Sequence, residues 1–231
     1  MPEEHNRIAV DHLSDLLFAP TRHSKKNLLK ENVHGAIHVT GNTVIDAVIQ
    51  NLPVAKHRSR IKVPSSNFVL VTLHRAENVD DKRTLKDLVS ALTKIPEQIV
   101  FPIHPRTVKR LKQFKLYNRI RKAGNIQLIR PIGYFDFLVL MQKCRFIVTD
   151  SGGIQEEATC PLIRRPVILL RRSTERPEAV ETGFVNVVGT TQNIDRAIKN
   201  AVNSAGKLPR SSPFGDGHAG RRTAKLLISH T

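Results

Sequence analysis

The sequence predicts an α/β protein, a mostly parallel sheet with helices on both faces. Short apolar runs rich in β-branched residues recur at strand length, and the segments between them carry apolar residues at helical spacing. The 231 residues, 40 % hydrophobic and 25 % charged, suffice for one large α/β domain, or for one domain and part of another.

In chain order, a helix-like segment begins within a few residues of Met1, with no strand before it. Strand-like runs follow at Leu16–Ala19 and Ile37–Thr40, a partial sheet too small to stand alone. A polar, basic joint from Leu52 to Asn67, containing Pro53 and Pro64, separates this piece from a longer α/β run. That run sets strands at Phe68–Thr72, Ile99–Ile103, Ile126–Ile129, Phe146–Thr149, Val167–Leu170 and Val185–Val188. Asp81–Leu92 is the clearest helix, because Leu85, Leu88, Val89 and Leu92 fall at i, i+3, i+4 and i+7. A second helix is expected over Arg106–Lys122, where Val108, Leu111, Phe114 and Ile120 oppose a basic face. A joint at Lys207–Gly220 precedes a closing helix at Arg221–Ile228, and no internal repeat is present.

No apolar run approaches the ~18 residues of a membrane-spanning helix. The acidic, polar start Met1-Pro-Glu-Glu-His-Asn-Arg7 is neither a secretory signal nor a transit peptide, so a cytoplasmic protein is expected. Cys144 and Cys160 stand in no metal spacing, which argues against a disulfide scaffold and a cysteine–zinc site. The charge is unusual: 37 basic against 20 acidic residues give +17, a balance that favours phosphorylated ligands, nucleic acid or anionic membrane as partners. From Gln98 to Phe135 there is no acid, while Arg106, Lys109, Arg110, Lys112, Lys115, Arg119, Arg121, Lys122 and Arg130 all fall there. With two tyrosines and no tryptophan to stack bases on, this stretch reads as a solvated helix face before it reads as a nucleic-acid surface.

Four segments carry chemistry. In Ile147-Val-Thr-Asp-Ser-Gly-Gly-Ile-Gln-Glu-Glu-Ala158 a strand runs into Asp150 and Ser151, two glycines allow a tight turn, and a helix starts. Free N–H groups there suit a phosphate. The segment is neither a Walker loop nor a Gly-x-Gly-x-x-Gly fingerprint. Gln155, Glu156 and Glu157 read equally well as ligand contacts or as ordinary residues of a helix's first turn. His74 and Arg75 follow one strand and His104 the next, so the three strand ends can share one crevice suited to phosphate contact or proton chemistry. In Arg171-Arg-Ser-Thr-Glu-Arg-Pro-Glu178, Arg176 offers the bidentate clamp a diphosphate or sugar hydroxyls call for. An anionic, nucleotide-linked ligand is the reading these segments share.

Taken together, Pro2-Glu-Glu-His-Asn-Arg7, Val39-Thr-Gly-Asn-Thr-Val-Ile-Asp46, Thr72-Leu-His-Arg-Ala-Glu-Asn78, Pro102-Ile-His-Pro105, Thr149 to Ala158, Thr174-Glu-Arg-Pro-Glu178 and Pro213-Phe-Gly-Asp-Gly217 resemble the non-hydrolysing UDP-N-acetylglucosamine 2-epimerases. The resemblance implies Rossmann-like domains of glycosyltransferase-B type with a site in the cleft between them. It implies interconversion of UDP-GlcNAc and UDP-ManNAc, in nucleotide-sugar and surface-polysaccharide metabolism, without a cofactor or metal. By the family's motifs, Ser151, Gly152 and Gly153 would hold the diphosphate, Glu157 the ribose and Arg176 the diphosphate or sugar. Phe137 would stack near uracil, His74 and Glu3 would be catalytic, and Arg75 and His104 would be regulatory or phosphate contacts.

The resemblance also sets residues 1–51 as the tail of an N-terminal Rossmann-like domain, 52–206 as the nucleotide-sugar-binding domain and 207–231 as a crossing segment and helix. The first strand of the family's N-terminal domain and its Gly-Thr-Arg-Pro-Glu, Gly-Asp and His-x-Glu-Ala-Gly-Leu-Arg segments have no match here. The expectation is therefore a chain that works as a homodimer or beside a companion N-terminal chain, with a non-catalytic UDP-sugar-binding half as the alternative. Two smaller departures are the long Thr159–Arg165 spacer and Ile132, which stands where many members place a polar residue near uracil.

Overall fold

The computed structural model describes residues 2–62, 64, 67–189, 194–203 and 208–230. Residues 63, 65, 66 and 207 of the two expected joints thus lie outside the described residues. Helix α1 (Pro2–Leu13) opens the chain, followed by β1 (Leu16–Ala19), α2 (Arg22–Lys30) and β2 (Ala36–Val39). The two strands pair in parallel around a small core of Leu17, Ala19 and Leu28. Arg7 ties α1 to this unit, bonding Asp11 in its own helix at 2.7 Å and Glu31 at the end of α2 at 2.8 Å.

Helix α3 (Thr43–Arg58), N-capped by Asn42, runs from this unit onto the larger one. The joint expected from Leu52 therefore starts too early: Leu52 and Pro53 lie inside α3, and the boundary drawn between residues 51 and 52 falls within one continuous helix. The cause is Ile45, Val48, Leu52 and Ala55, a fully buried stripe at helical spacing. Its burial outweighs Pro53, which costs the Ile49 carbonyl its partner.

The larger unit alternates strands and helices: β3 (Val69–Thr72), α4 (Ala76–Val79), α5 (Lys82–Leu92), β4 (Ile99–Pro102), α6 (Pro105–Gln113), α7 (Tyr117–Arg121), β5 (Ile126–Ile129), α8 (Tyr134–Lys143), β6 (Phe146–Thr149), α9 (Gly152–Glu157), β7 (Val167–Leu169), α10 (Pro177–Glu181), β8 (Val185–Val187) and α11 (Ile194–Asn203). The strands form one parallel sheet in the order β5-β4-β3-β6-β7-β8. They read as nearly unbroken apolar runs because both faces are covered. Leu85, Leu88, Leu111 and Ile120 pack one face, and Ile45, Leu138, Leu140 and Ala158 the other. The expected fold class is borne out.

The helix expected over Arg106–Lys122 is two helices. Lys115 takes a left-handed φ of +60°. Its N–H donates to the Lys112 carbonyl at 3.1 Å, and the Leu116 N–H to the Leu111 carbonyl at 2.8 Å. This paired closure ends α6 and turns Leu116 into the core beside Leu111.

Helix α12 (Ala219–Ser229) docks back on α3. The buried Asp46 carboxylate accepts the Ala219 N–H at 3.1 Å and the Gly220 N–H at 2.8 Å. Among the described residues no helix is long and apolar enough to cross a membrane.

The winding reverses between β3 and β6. From β3 the chain proceeds outward through β4 to β5, and from β6 outward through β7 to β8. Such a reversal opens a crevice outside the carboxyl ends of the two central strands, where ligands of doubly wound sheets bind.

Candidate functional site

Two strand ends are stitched together in that crevice. The Thr72 and Thr149 hydroxyls, at the ends of β3 and β6, are 2.7 Å apart. Beyond them the Asp150 carboxylate, wholly buried, accepts the backbone N–H of His74 at 3.0 Å and of Arg75 at 2.9 Å. It also accepts the Asn78 amide at 3.0 Å, and Asn78 donates in turn to the Leu170 carbonyl at 2.9 Å. The His74 ring sets Nδ1 3.3 Å from Asp150 Oδ1, with 43 % of its side chain exposed to the crevice. His104, which caps α6 beyond β4, accepts the Arg106 N–H on Nδ1 at 3.1 Å, so its neutral form carries the proton on Nε2. The two imidazole centroids are 5.7 Å apart. All three strand ends meet, as the sequence leads one to expect.

Ser151 caps α9, but its own N–H is taken by Thr149 Oγ1 at 3.0 Å. What it offers a ligand is its hydroxyl. The amides of Gly152 and Gly153 open the helix and have no intrahelical acceptor. Arg176 packs against Gly152: a Cβ built there would sit 3.1 Å from its Nη1. Arg176 is fixed by Nε to Glu156 at 2.9 Å, and its N–H donates to Thr174 Oγ1 at 3.1 Å. Thr174 donates to the buried Gln155 at 2.7 Å, and Gln155 returns a bond to the Ser151 carbonyl at 3.2 Å. Arg171 clamps Glu175 through two bonds, which holds that carboxyl down at about 2. The 171–176 loop is thus held by its own side chains and by Gln155 and Glu156 of α9.

Reading Glu156 and Glu157 as first-turn helix residues is wrong. Helix α9 is six residues long and ends at Glu157, so both acids stand where the helix dipole favours cations. Burial raises Glu156 while Arg176 opposes the rise. Burial, with Glu156 beside it, pushes Glu157 up to about 7. Among the described residues Glu157 has no ion-pair partner. A largely buried carboxyl without an ion-pair partner, titrating near neutrality, is suited to accept ligand hydroxyls.

Phe137, on α8, lines a cavity of about 210 Å³ together with His74, His104, Pro131, Ile132 and Ile154. A larger cavity, about 940 Å³, lies between the two-stranded unit and the loop before α12, with Thr21, Gly41 and Glu178 in its wall. The Thr21 hydroxyl bonds Glu178, two residues past Arg176, and so joins the two units at the edge of the crevice. Arg75 caps α4 with its backbone bound to Asp150. Glu3 stands apart, exposed on the first turn of α1, and among the described residues no hydrogen bond or ion pair links it to the others.

Asp150, Asn78 and Thr174 hold this crevice together in ways to which the sequence reading gave no role, and Gln155 takes part through Thr174. Asp150 was legible as the residue at which a strand runs out toward the glycines. The Asn78–Asp150 and Gln155–Thr174 pairs depend on strand order, which spacing does not encode.

Residues 1–228 match the family described as UDP-N-acetylglucosamine 2-epimerase. The chain belongs to this family. It is 43 % identical over 239 residues to the UDP-N-acetylglucosamine 2-epimerase of Methanocaldococcus jannaschii, covering 98 % of this chain and 64 % of that protein. The M. jannaschii epimerase solved with UDP-GlcNAc and UDP superposes with a TM-score of 0.86 at 42 % identity, over 99 % of this chain and 65 % of that one. This chain therefore spans just under two thirds of the length of these epimerases. Likeness in fold alone extends to a sucrose-phosphate synthase from Thermosynechococcus elongatus, with a TM-score of 0.59 at 16 % identity over 97 % of this chain and 61 % of that one. The glycosyltransferase-B type of architecture is borne out with it.

Proposed function

We propose that the crevice binds the UDP part of a UDP-N-acetylhexosamine and that the chain serves UDP-N-acetylglucosamine 2-epimerisation. The observation that carries this reading is Arg176, held by Glu156 and packed against Gly152 at the start of α9, where the first amides of the helix are open. Two amides, the Ser151 hydroxyl and a guanidinium fixed in place match a diphosphate in charge and donor number. Glu157 accepts the ribose hydroxyls, and Phe137 borders the uracil. Arg75 and His104 are a regulatory or phosphate-contacting pair.

In this reaction the C2 proton leaves, the C1–O bond breaks and UDP departs, which gives a 2-acetamidoglucal. UDP then adds back at C1 while C2 takes a proton on its other face. Charge builds on the departing diphosphate, where Arg176 and the glycine amides stabilise it. His74, 43 % exposed to the crevice, takes the proton of the incoming diphosphate oxygen as that oxygen bonds C1, and in the reverse step the doubly protonated ring returns it to the leaving oxygen. Glu3 is the proposed carboxylate for the carbon acid chemistry, with a second copy or a companion N-terminal chain completing the cleft. Residues 52–206 form the nucleotide-sugar-binding part in this account.

A proton NMR time course of UDP-GlcNAc with the purified chain tests the proposal. UDP-ManNAc anomeric signals and broadened uridine resonances support it in full. Broadening without product leaves the binding half of the reading and removes turnover by this chain alone. No change in either overturns it.

A further inference from the structure

We propose that Asp150 and Asn78 are positioning residues that fix the tautomer of His74, so that its Nδ1 carries the proton and its Nε2 faces the crevice unprotonated. This rests on the functional reading above only for its catalytic meaning. The geometry stands without it.

Asp150 has two carboxylate oxygens and four neighbours that donate or face it. The N–H groups of His74 and Arg75 and the Asn78 amide all reach Oδ2, at 3.0, 2.9 and 3.0 Å. Oδ1 has a single bond, a longer one of 3.2 Å from the same His74 N–H, and stands 3.3 Å from the imidazole Nδ1. A buried carboxylate oxygen with spare lone pairs is best satisfied by an N–H, so the imidazole presents Nδ1–H to it. Nε2 is then the free acceptor of a ring that is 43 % exposed. Asp150 cannot rotate away, because Asn78 is itself wholly buried and anchored to the Leu170 carbonyl at 2.9 Å. The carboxylate is thus held through Asn78 from the residue after β7 and aimed at a histidine in the loop after β3.

The neighbouring His104 has the opposite assignment. Its Nδ1 is occupied as an acceptor by the Arg106 N–H, which leaves Nε2–H as a donor. Two imidazoles 5.7 Å apart therefore face the same small cavity with complementary Nε2 atoms, one accepting and one donating. A departing phosphate oxygen that carries a proton can be met by the first, and one that carries charge by the second. Without Asp150 the His74 ring loses the partner that separates these roles.

Nitrogen-15 chemical shifts of the histidine side chains, measured on the full chain without ligand above pH 8, decide the assignment. His74 is identified from a His74→Gln variant. The expected result is a protonated Nδ1 and an unprotonated Nε2 for His74, with the reverse pattern for His104. In Asp150→Asn, which keeps the shape of the side chain, His74 is expected to become a mixture or to invert, while His104 stays as it was. Asn78→Ala is the second variant should Asp150→Asn fail to fold, and a partial shift of the His74 pattern is expected there. A wild-type His74 protonated on Nε2, or a folded Asp150→Asn chain with an unchanged pattern, overturns the proposal. A separate UDP titration of the same samples reads the functional proposal. Absence of binding there with the expected tautomers removes the nucleotide-sugar reading and leaves the positioning role intact. If the chain turns over, Asp150→Asn is expected to lower kcat at least 100-fold with KM changed less than threefold.

Discussion

The guanidinium of Arg176 rests against Gly152, its Nη1 and Cζ lying 3.1 and 3.2 Å from where a Cβ would stand. A side chain at residue 152 is therefore limited by space and not by backbone conformation, since its φ is not among the positive ones. Arg176 has little freedom to retreat because Glu156 holds its Nε at 2.9 Å.

Gly152→Ala is accordingly expected to fold normally and to bind UDP about 5- to 30-fold more weakly, on the order of 1–2 kcal/mol. Arg176→Ala should lose more, on the order of 2–3 kcal/mol, because it removes a charge-assisted bond to phosphate. Calorimetric titration of both variants against wild type checks the ranking. Equal affinities for all three chains would show that the diphosphate lies elsewhere.

Glu157 gives the site a pH signature. Its folded-state value of about 7 exceeds the ordinary 4.5, so the folded chain holds a proton that the unfolded chain releases between those limits. Stability therefore falls as pH rises from about 4.5 to about 7 and levels off above that. Glu157→Gln should flatten this slope and raise stability at pH 8 by about 1–3 kcal/mol, as urea unfolding at pH 5 and 8 would show. UDP binding moves the other way and tightens as pH rises through 7, because ribose hydroxyls need the ionised acceptor.

Asp46 joins the closing helix to the rest of the fold through two backbone N–H groups of α12. Asp46→Ala leaves those donors without an acceptor in a buried place and is expected to cost about 1–3 kcal/mol. Hydrogen exchange should localise the loss to residues 219–229. A loss spread evenly over β3 and β6 would count against the assignment.

Lys115 carries a left-handed φ of +60° at the end of α6. Lys115→Gly is expected to stabilise the chain by about 0.5–1 kcal/mol, since glycine adopts this conformation without the Cβ penalty. Thermal unfolding would register a higher Tm, and an unchanged or lower one would contradict the closure described for α6.

The sheet was legible because its strands are short apolar runs with helices of helical period between them, and Val69–Thr72 and Phe146–Thr149 stand out in any such reading. The errors have local physical causes. Pro53 and a polar flank suggested a linker, yet Ile45, Val48, Leu52 and Ala55 keep α3 intact on the core. A continuous apolar stripe suggested one helix from Arg106 to Lys122, yet burial of Leu116 requires a reversal that no glycine announces. Glycines 152 and 153 marked the carboxyl end of β6, but the direction from which Arg176 arrives and the partner that Asp150 finds in Asn78 follow from strand order. Those contacts are between segments far apart in sequence, so pattern alone leaves them unassigned.

The central claim is that a nucleoside diphosphate sits at the carboxyl ends of β3 and β6. A crystal structure of the chain grown with UDP tests it most directly. The account predicts diphosphate oxygens on the Gly152 and Gly153 amides and the Arg176 guanidinium, with the ribose against Glu157. A UDP seated instead among Arg22, Lys26 and Arg210 of the larger cavity, with Arg176 still bound only to its glutamates, would contradict it.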